Sequence, residues 1–479
     1  MRLEPILRAL AEHRNPRRIL FTHNVSDFID EGQSILVTVQ DSEGVETQYR
    51  CQYLIGADGG RFVGPKIGVE MEGPKGITDM VSIYFKADLS EYWDDRFFAC
   101  HFINGSCVTV FESGALVPLG PTWGRYSEEW VIHFGFDLDD ESRFDEDKLK
   151  PRVRALLKLP NLDIKVLRTS HWIIERVLAS KYSEGRVFLA GDAAHRRPPT
   201  TGLGLNTSIE DSLNLAWKLA LVLKQKAEPA ILDTYESERR PIGRRNCDWG
   251  LFTFKNSNVI NAAVGLVPGQ EEANKLSFAQ LFEDSEIGRS RRAQVGLIID
   301  SQCIEFSAHD IELGFRYDDG FHVPDGTDAP ESDPYGQIYL PTTRPGHRLP
   351  HAWVEKYNVV ISTHDLVGPE GAFLVITDSY GSDWVSIAEK CATACNIKIT
   401  TAQIGPRSAN PTNVTDHDEQ WEKVKCLERG GALLVRPDNF VAWRSRSASK
   451  TGGSELAIAI NSLLDNKDAG MNNCTNRRL

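Results

Sequence analysis

The 479-residue sequence predicts a combined α/β and α+β fold distributed over more than one domain. Three observations predict it. Two short apolar runs, "YLIGADGG" at 53–60 and "RVFLAGDAAH" at 186–195, each stop at a glycine and an aspartate, as buried parallel strands do where they open a ligand crevice. Residues 80–137 carry strand-like pieces, "MVSIYFKADL", "FFACHFI", "CVTVFE" and "EWVIHFGFDL", that suit an antiparallel sheet packed on one face. From 338 to 464 strand and helix patterns alternate, which suits a smaller α/β domain.

Taken in order, the chain opens with Leu3, Ile6, Leu7 and Leu10 at helical spacing. This segment is Arg-rich, but Glu4 and Glu12 argue against a targeting peptide, so an ordinary amphipathic helix ending near Asn15 and Pro16 is expected. A strand "RILFTHNV" should follow it. The stretch "SILVTVQDSEGV" reads as the first arm and turn of a hairpin, with the turn at 41–44, and leads into the first of the two crevice strands. A helix pattern covers 145–158, and a long amphipathic helix begins near Leu205. The Pro-, Gly- and Asp-rich passage 316–337 reads as a linker, which bounds a first domain at 1–315 and a second at 338–464. The polar tail 465–479 is expected to fray.

Charge and cysteine usage narrow the function classes. The formal charge of -13 is offset by no basic block, which speaks against nucleic acid and anionic membrane surfaces as partners. No apolar run reaches the length of a bilayer span. Nine scattered cysteines form neither a disulfide framework nor a zinc site, so a reducing, cytoplasmic setting is expected and no metal is assigned. There is no Gly-x-Ser-x-Gly elbow for hydrolase chemistry.

At the second crevice strand, Gly191 lets the backbone turn and Asp192 sits where a ribityl or ribose hydroxyl could be gripped. Pro198 and Pro199 stiffen the following loop, while Gly202 and Gly204 let backbone approach a flat ligand. Thr207 or Asn206 would cap the helix, whose exposed N–H groups favour an anion or a polarised carbonyl. An isoalloxazine ring meets that description.

The pair of motifs, Asp58-Gly59 and Gly191-Asp192, resembles the flavin-dependent aromatic hydroxylases, the class of para-hydroxybenzoate hydroxylase and phenol 2-monooxygenase. "LEPILRALA", "HDIELGFRYDDG", "VPDG" and "GALLVRPDNFVAWR" extend the resemblance through most of the chain. It implies an FAD-binding hydroxylase fold with an antiparallel substrate-domain sheet and a C-terminal thioredoxin-like domain. It assigns Asp58 and Gly59 to FAD and the nicotinamide donor, and Gly191 and Asp192 to the ribityl and phosphate portion. Pro199, Gly202, Leu203, Gly204, Leu205 and Asn206 would lie along the isoalloxazine. The implied reaction uses NADPH or NADH and O₂ to hydroxylate a phenolic substrate through a C4a-hydroperoxyflavin, in secondary metabolism or aromatic catabolism.

Two departures from the family pattern bear on this. The family's Gly-x-Gly-x-x-Gly unit is absent from the sequence, so the expectation is a fold truncated at its N-terminus that grips only the flavin half of FAD. After Arg61, Phe62-Val63-Gly64-Pro65 stands where relatives have a small polar and then a basic residue. Cys391 and Cys395 form no Cys-x-x-Cys, which leaves the last domain a structural or dimerising role. His195 is read as a surface or loop-ordering residue or as a catalytic one, and Arg196 and Arg197 as facing solvent or phosphate. No catalytic base is assigned. Substrate would lie on the antiparallel sheet, where Phe85, Phe98, Phe102, Phe111 and Phe134 offer either aromatic walls or plain core. Two other readings stay open: a non-catalytic remnant or pairing module, and a flavin monooxygenase performing epoxidation, dearomatisation or ring expansion.

Overall fold

A computed structural model describes residues 3–103, 114–368, 371–406 and 413–464 of the chain. Two compact units divide it: Met1–Glu70 with Ala179–Ala194, and Met71–Leu178 with His195–Leu479. Phe111 and the tail 465–479 lie outside the described residues.

In the first unit, helix Leu3–Arg14 forms as its spacing predicts, yet buries no residue: Leu3, Ile6, Leu7 and Leu10 are all exposed. The strand expected at "RILFTHNV" starts only at Asn24 and runs to Asp30. Arg17 and Thr22 take left-handed φ values of 62° and 60°, which interrupts any strand before that point. The hairpin arm Ile35–Gln40 pairs antiparallel with both Asn24–Asp30 and Glu46–Cys51. Its turn is held by Asp41, whose Oδ1 accepts from Glu43 N and Val45 N, both at 2.9 Å.

The two crevice strands, Leu54–Gly56 and Val187–Leu189, pair in parallel within this unit. A Cβ on Gly56 would meet Val63 Cβ at 2.7 Å, so only glycine lets the chain return against the strand there. Ala190 N donates to Gly56 O at 3.1 Å, and the two chains leave the sheet side by side.

The second unit holds the antiparallel sheet expected around 80–137. Its strands lie in the order Lys165–Ile174, Thr78–Lys86, Glu129–Phe136, Gly114–Gly120 and Cys100–Phe102, all pairs antiparallel. One face is core: Val81, Ile83, Phe85, Leu116, Trp130, Ile132 and Phe134 pack with Leu149 and Val153 of helix Glu146–Leu157. Two long helices, Leu203–Leu223 and Thr234–Asn256, follow. Residues 316–337 form no helix or strand, but Tyr317 and Phe321 are buried, and Tyr317 stacks on Phe440 at 4.3 Å.

The C-terminal part is built on Phe373–Thr377, helix Ser382–Ala394 and the parallel strand Ile399–Gly405, followed by the antiparallel pair Ala432–Val435 and Val441–Ser445 and helix Ser454–Leu463. This βαβ followed by ββα is the thioredoxin-like arrangement. Cys391 is buried on its first helix and Cys395 stands just after it, its Sγ 3.5 Å from Asn461 Oδ1. Among the described residues no helix is long and apolar enough to cross a membrane, and no group of side chains could hold a metal.

Candidate flavin site

Within the first unit, the Asp58 carboxylate turns back on its own loop. It accepts from Gly60 N at 3.0 Å, Phe62 N at 2.7 Å and Val63 N at 2.9 Å. Burial pushes this carboxyl up, but the three N–H bonds outweigh it and hold the group below the usual carboxylate range. Asp58 thus shapes the loop, and Gly59 and Gly60 make the turn at φ 71° and 75°. Gly191 turns at φ 63° and opens a short 3₁₀ segment, Gly191–Ala193, on which Asp192 is exposed.

In the second unit, residues 198–206 wrap onto helix Thr234–Asn256. Thr200 Oγ1 donates to Gly250 O at 2.8 Å and accepts from Thr253 Oγ1 at 2.9 Å. Gly250 has no side chain to hold the loop away: a Cβ there would touch Arg197 Cδ at 3.3 Å and Pro198 O at 3.4 Å. Thr201 is held at φ 69°, a conformation that costs a non-glycine residue about 1 kcal/mol or more.

Helix Leu203–Leu223 starts two residues earlier than its sequence pattern suggested, with Gly202 at its N-cap in the left-handed region and no capping side chain. Thr207 and Asn206 do not cap it. They lie inside the helix, where Thr207 Oγ1 donates to Leu203 O and Asn206 Nδ2 to Gly202 O. The left-handed Thr201 and Gly202 move the helix start upstream of both residues. Leu203 is buried against Ala308 and Ile311, whereas Leu205 and Asn206 are exposed. A Cβ on Gly202 would meet nothing within 4 Å, and one on Gly204 only Arg197 Nη2 at 3.8 Å.

This is an open, uncapped N-terminus of a 21-residue helix, with bare backbone at its mouth. Its partial positive charge fits the pyrimidine edge of a flavin, which becomes anionic on reduction. The residues present therefore fit the flavin half of FAD.

Beneath that helix start lies a cluster the sequence reading did not assemble. His195 Nε2 is 2.7 Å from Asp211 Oδ2, Arg239 Nε donates to Asp211 Oδ1 at 2.8 Å, and Arg239 Nη1 reaches Tyr317 Oη at 3.1 Å. Burial pushes the Asp211 carboxyl up, but Arg239 and His195 pull it below its ordinary value. His195 is thus buried and bonded to Asp211, and the surface reading of it does not hold. Arg196 pairs with Glu175, and Arg197 Nη2 donates to Thr207 Oγ1.

Farther along the same helix, Lys218, Asn214, Arg436 and Phe321 N all donate to Glu238. Arg436 also pairs with Asp438, which accepts from Trp217 Nε1 at 3.0 Å. The spacing of Asp211, Asn214 and Lys218, polar residues on one stripe of an amphipathic helix, was the available signal for this buried network.

Of the two readings of the sheet phenylalanines, plain core is the one that Phe85, Phe102 and Phe134 follow. Phe85 and Phe134 are wholly buried on the core face, because period-two alternation defines a face without saying which face is covered. Phe102 packs against the same core, and Phe98 is exposed and meets Phe306 edge-on. A cavity of about 410 Å³ elsewhere in this unit, lined by Thr327, Arg344, Cys426 and Arg444 among others, contains none of the expected site residues.

Comparison with known proteins gives two family matches: an FAD binding domain over residues 1–250 and an aromatic-ring hydroxylase C-terminal domain over 342–466. The chain is 34% identical over 470 residues to a 2,4-dichlorophenol 6-monooxygenase of Delftia acidovorans, covering 96% of this chain and 78% of that protein. It is 33% identical over 473 residues to a tetracenomycin A2 monooxygenase-dioxygenase of Streptomyces glaucescens, covering 97% and 74%. The crystal structure of the flavin-dependent monooxygenase PieE with FAD and substrate superposes with a TM-score of 0.87 at 33% identity, covering 97% of this chain and 79% of that one.

Proposed function

The chain belongs to the FAD-dependent aromatic monooxygenases, and from that membership we propose that it hydroxylates a phenolic small molecule using O₂ and NADPH or NADH. The observation that carries this reading is the uncapped N-terminus of helix Leu203–Leu223, with no side chain at Gly202 or Gly204 to obstruct a flat ring.

When bound, FAD supplies the activation of O₂. The chain's own residues position and stabilise. The first-turn amides of the long helix, from Leu203 to Asn206, would face the ring edge of a bound flavin and favour negative charge there, a preorganised electrostatic role. Thr200 keeps the loop in one shape through its bonds to Gly250 and Thr253 of helix Thr234–Asn256. The exposed Asp192 carboxylate is the candidate acceptor for a ribityl hydroxyl. His195, Asp211 and Arg239 hold the loop and the helix together from below.

The test is an absorbance spectrum of the purified chain after incubation with FAD and removal of free cofactor, followed by NADPH and NADH oxidation with a panel of phenols. A retained flavin spectrum and phenol-dependent oxidation are expected. A colourless protein would support the reading as a remnant or pairing module instead.

A further inference from the structure

The acids around the start of helix Leu203–Leu223 are held by guanidinium groups. Asp211 faces Arg239, Asp310 faces Arg245 and Glu175 faces Arg196. Glu305 differs from them. It lies half-buried on the short helix Cys303–Phe306, and among the described residues no cationic side chain acts on it.

The segment that carries Glu305 is fixed against the flavin loop. Gln302 Oε1 accepts from Asn256 Nδ2 at 3.2 Å, Arg245 Nη2 donates to Asp310 Oδ2 at 2.8 Å, and Ala308 and Ile311 pack on Leu203. The Glu305 carboxylate there takes a hydrogen bond from the backbone N–H of Thr201, the residue at φ 69° just before the N-cap Gly202. A left-handed threonine persists only where its surroundings over-determine it. Thr200 supplies one hold, through Gly250 and Thr253, and Glu305 supplies another.

The neighbouring charges have partners of their own. On the loop, Arg197 donates to Thr207 Oγ1. On helix Thr234–Asn256, Arg245 is taken by Asp310 and Asp248 by Arg176, while Lys255 is exposed. On the segment of Glu305 itself, His309 pairs with Glu312, and Phe306 meets the uncharged Phe98 at 5.3 Å. Burial therefore pushes the Glu305 carboxyl above its ordinary value, opposed by the Thr201 N–H.

We propose that Glu305 is a positioning residue of the flavin loop that also carries a proton for it: the carboxylate holds Thr201 in the left-handed turn that opens the helix mouth, and it takes up a proton from solvent when a flavin bound there gains negative charge on reduction. The inference rests on the flavin-site reading above. A carboxylate bonded to the residue before that mouth opposes added negative charge, and protonation removes the opposition. Glu305 forms no bond to the ring; the electrons come from the nicotinamide donor and the proton from water.

The experiment uses the full chain with FAD bound. It reads FAD affinity by fluorescence titration and the flavin midpoint potential by absorbance from pH 5.5 to 8.5. Glu305→Ala removes the acceptor and should weaken FAD binding about tenfold, whereas Glu305→Gln keeps an acceptor for Thr201 N–H and should bind nearly as wild type. Adding Thr201→Gly to Glu305→Ala should recover the affinity, since glycine takes the left-handed turn unaided. At pH 8.5 Glu305→Gln should raise the potential by about 30 mV, the two-electron equivalent of a tenfold firmer hold on the reduced flavin. The gap should narrow as pH falls and the wild-type carboxyl takes its proton in both redox states. Unchanged FAD affinity in Glu305→Ala, or potentials of wild type and Glu305→Gln that coincide at every pH, overturns the proposal and leaves the flavin reading intact. If Glu305→Ala does not fold, the potentials of Glu305→Gln decide. A wild-type chain that retains no flavin overturns the flavin reading, and this proposal with it.

Discussion

His195 and Asp211 lie 2.7 Å apart with almost no solvent access to either side chain, and Arg239 closes the far side of the same carboxylate. A buried carboxylate flanked in this way is stable only while both neighbours are present. Asp211→Asn removes the nearer and more deeply buried of the two carboxylates that Arg239 faces, leaving Glu210 at 3.3 Å, and is expected to cost about 3 kcal/mol in denaturant unfolding. His195→Gln should cost less, about 1–3 kcal/mol, because Arg239 remains paired. A loss below 1 kcal/mol for Asp211→Asn would contradict the assigned geometry.

Arg436 and Glu238 make a two-pronged pair at 2.6 and 2.8 Å with neither side chain exposed. Arg436→Met should lower the melting temperature sharply, since Glu238 would keep only Lys218 as its charged partner. Combining it with Glu238→Gln should restore part of the loss. Burial lowers Lys218 to about 8, so its charge is the weakest member of the group.

Gly204 separates fold from binding. Its added Cβ would meet no protein atom closer than 3.8 Å, and alanine is the better helix former by about 0.5–1 kcal/mol. Gly204→Ala should therefore melt no lower than wild type, yet bind FAD at least tenfold more weakly by fluorescence titration. Equal FAD affinity would move the flavin away from this helix start.

Acid sensitivity should follow the buried histidines. Burial pushes His347 down to about 4 from an ordinary value of 6.5. Between those two pH values the unfolded chain binds a proton that the folded chain refuses, so stability falls as pH drops from 6.5 to 4 and is fully present above 6.5. The full loss from this one group is about 3 kcal/mol. Melting temperatures measured from pH 7.5 to 4.5 should show the decline, and His347→Asn should flatten it.

What could be read in advance was local. The Gly-Asp strand ends, the Asp41 turn and the helix at Glu146–Leu157 are each set by neighbouring residues, and each forms. The stretch after Pro16 misled because its apolar residues resemble a strand, while the left-handed Arg17 and Thr22 have no such signature. The helix start was misplaced for the same reason, since a threonine at φ 69° is not anticipated from propensity. Phe85 and Phe134 showed which residues share a face, whereas covering that face depended on Leu149 and Val153 of a separate helix. The partners of Glu238 and Asp211 could not be assembled at all, because Arg436 stands 198 positions from Glu238 and Arg239 stands 28 from Asp211.

That long reach has a consequence during synthesis. Until residue 436 has left the ribosome, Glu238 lacks the guanidinium that holds it and faces burial with Lys218 as its charged partner. Nascent chains arrested short of that residue should leave the two long helices open to limited proteolysis. Chains released beyond it should close them together in a single cooperative step.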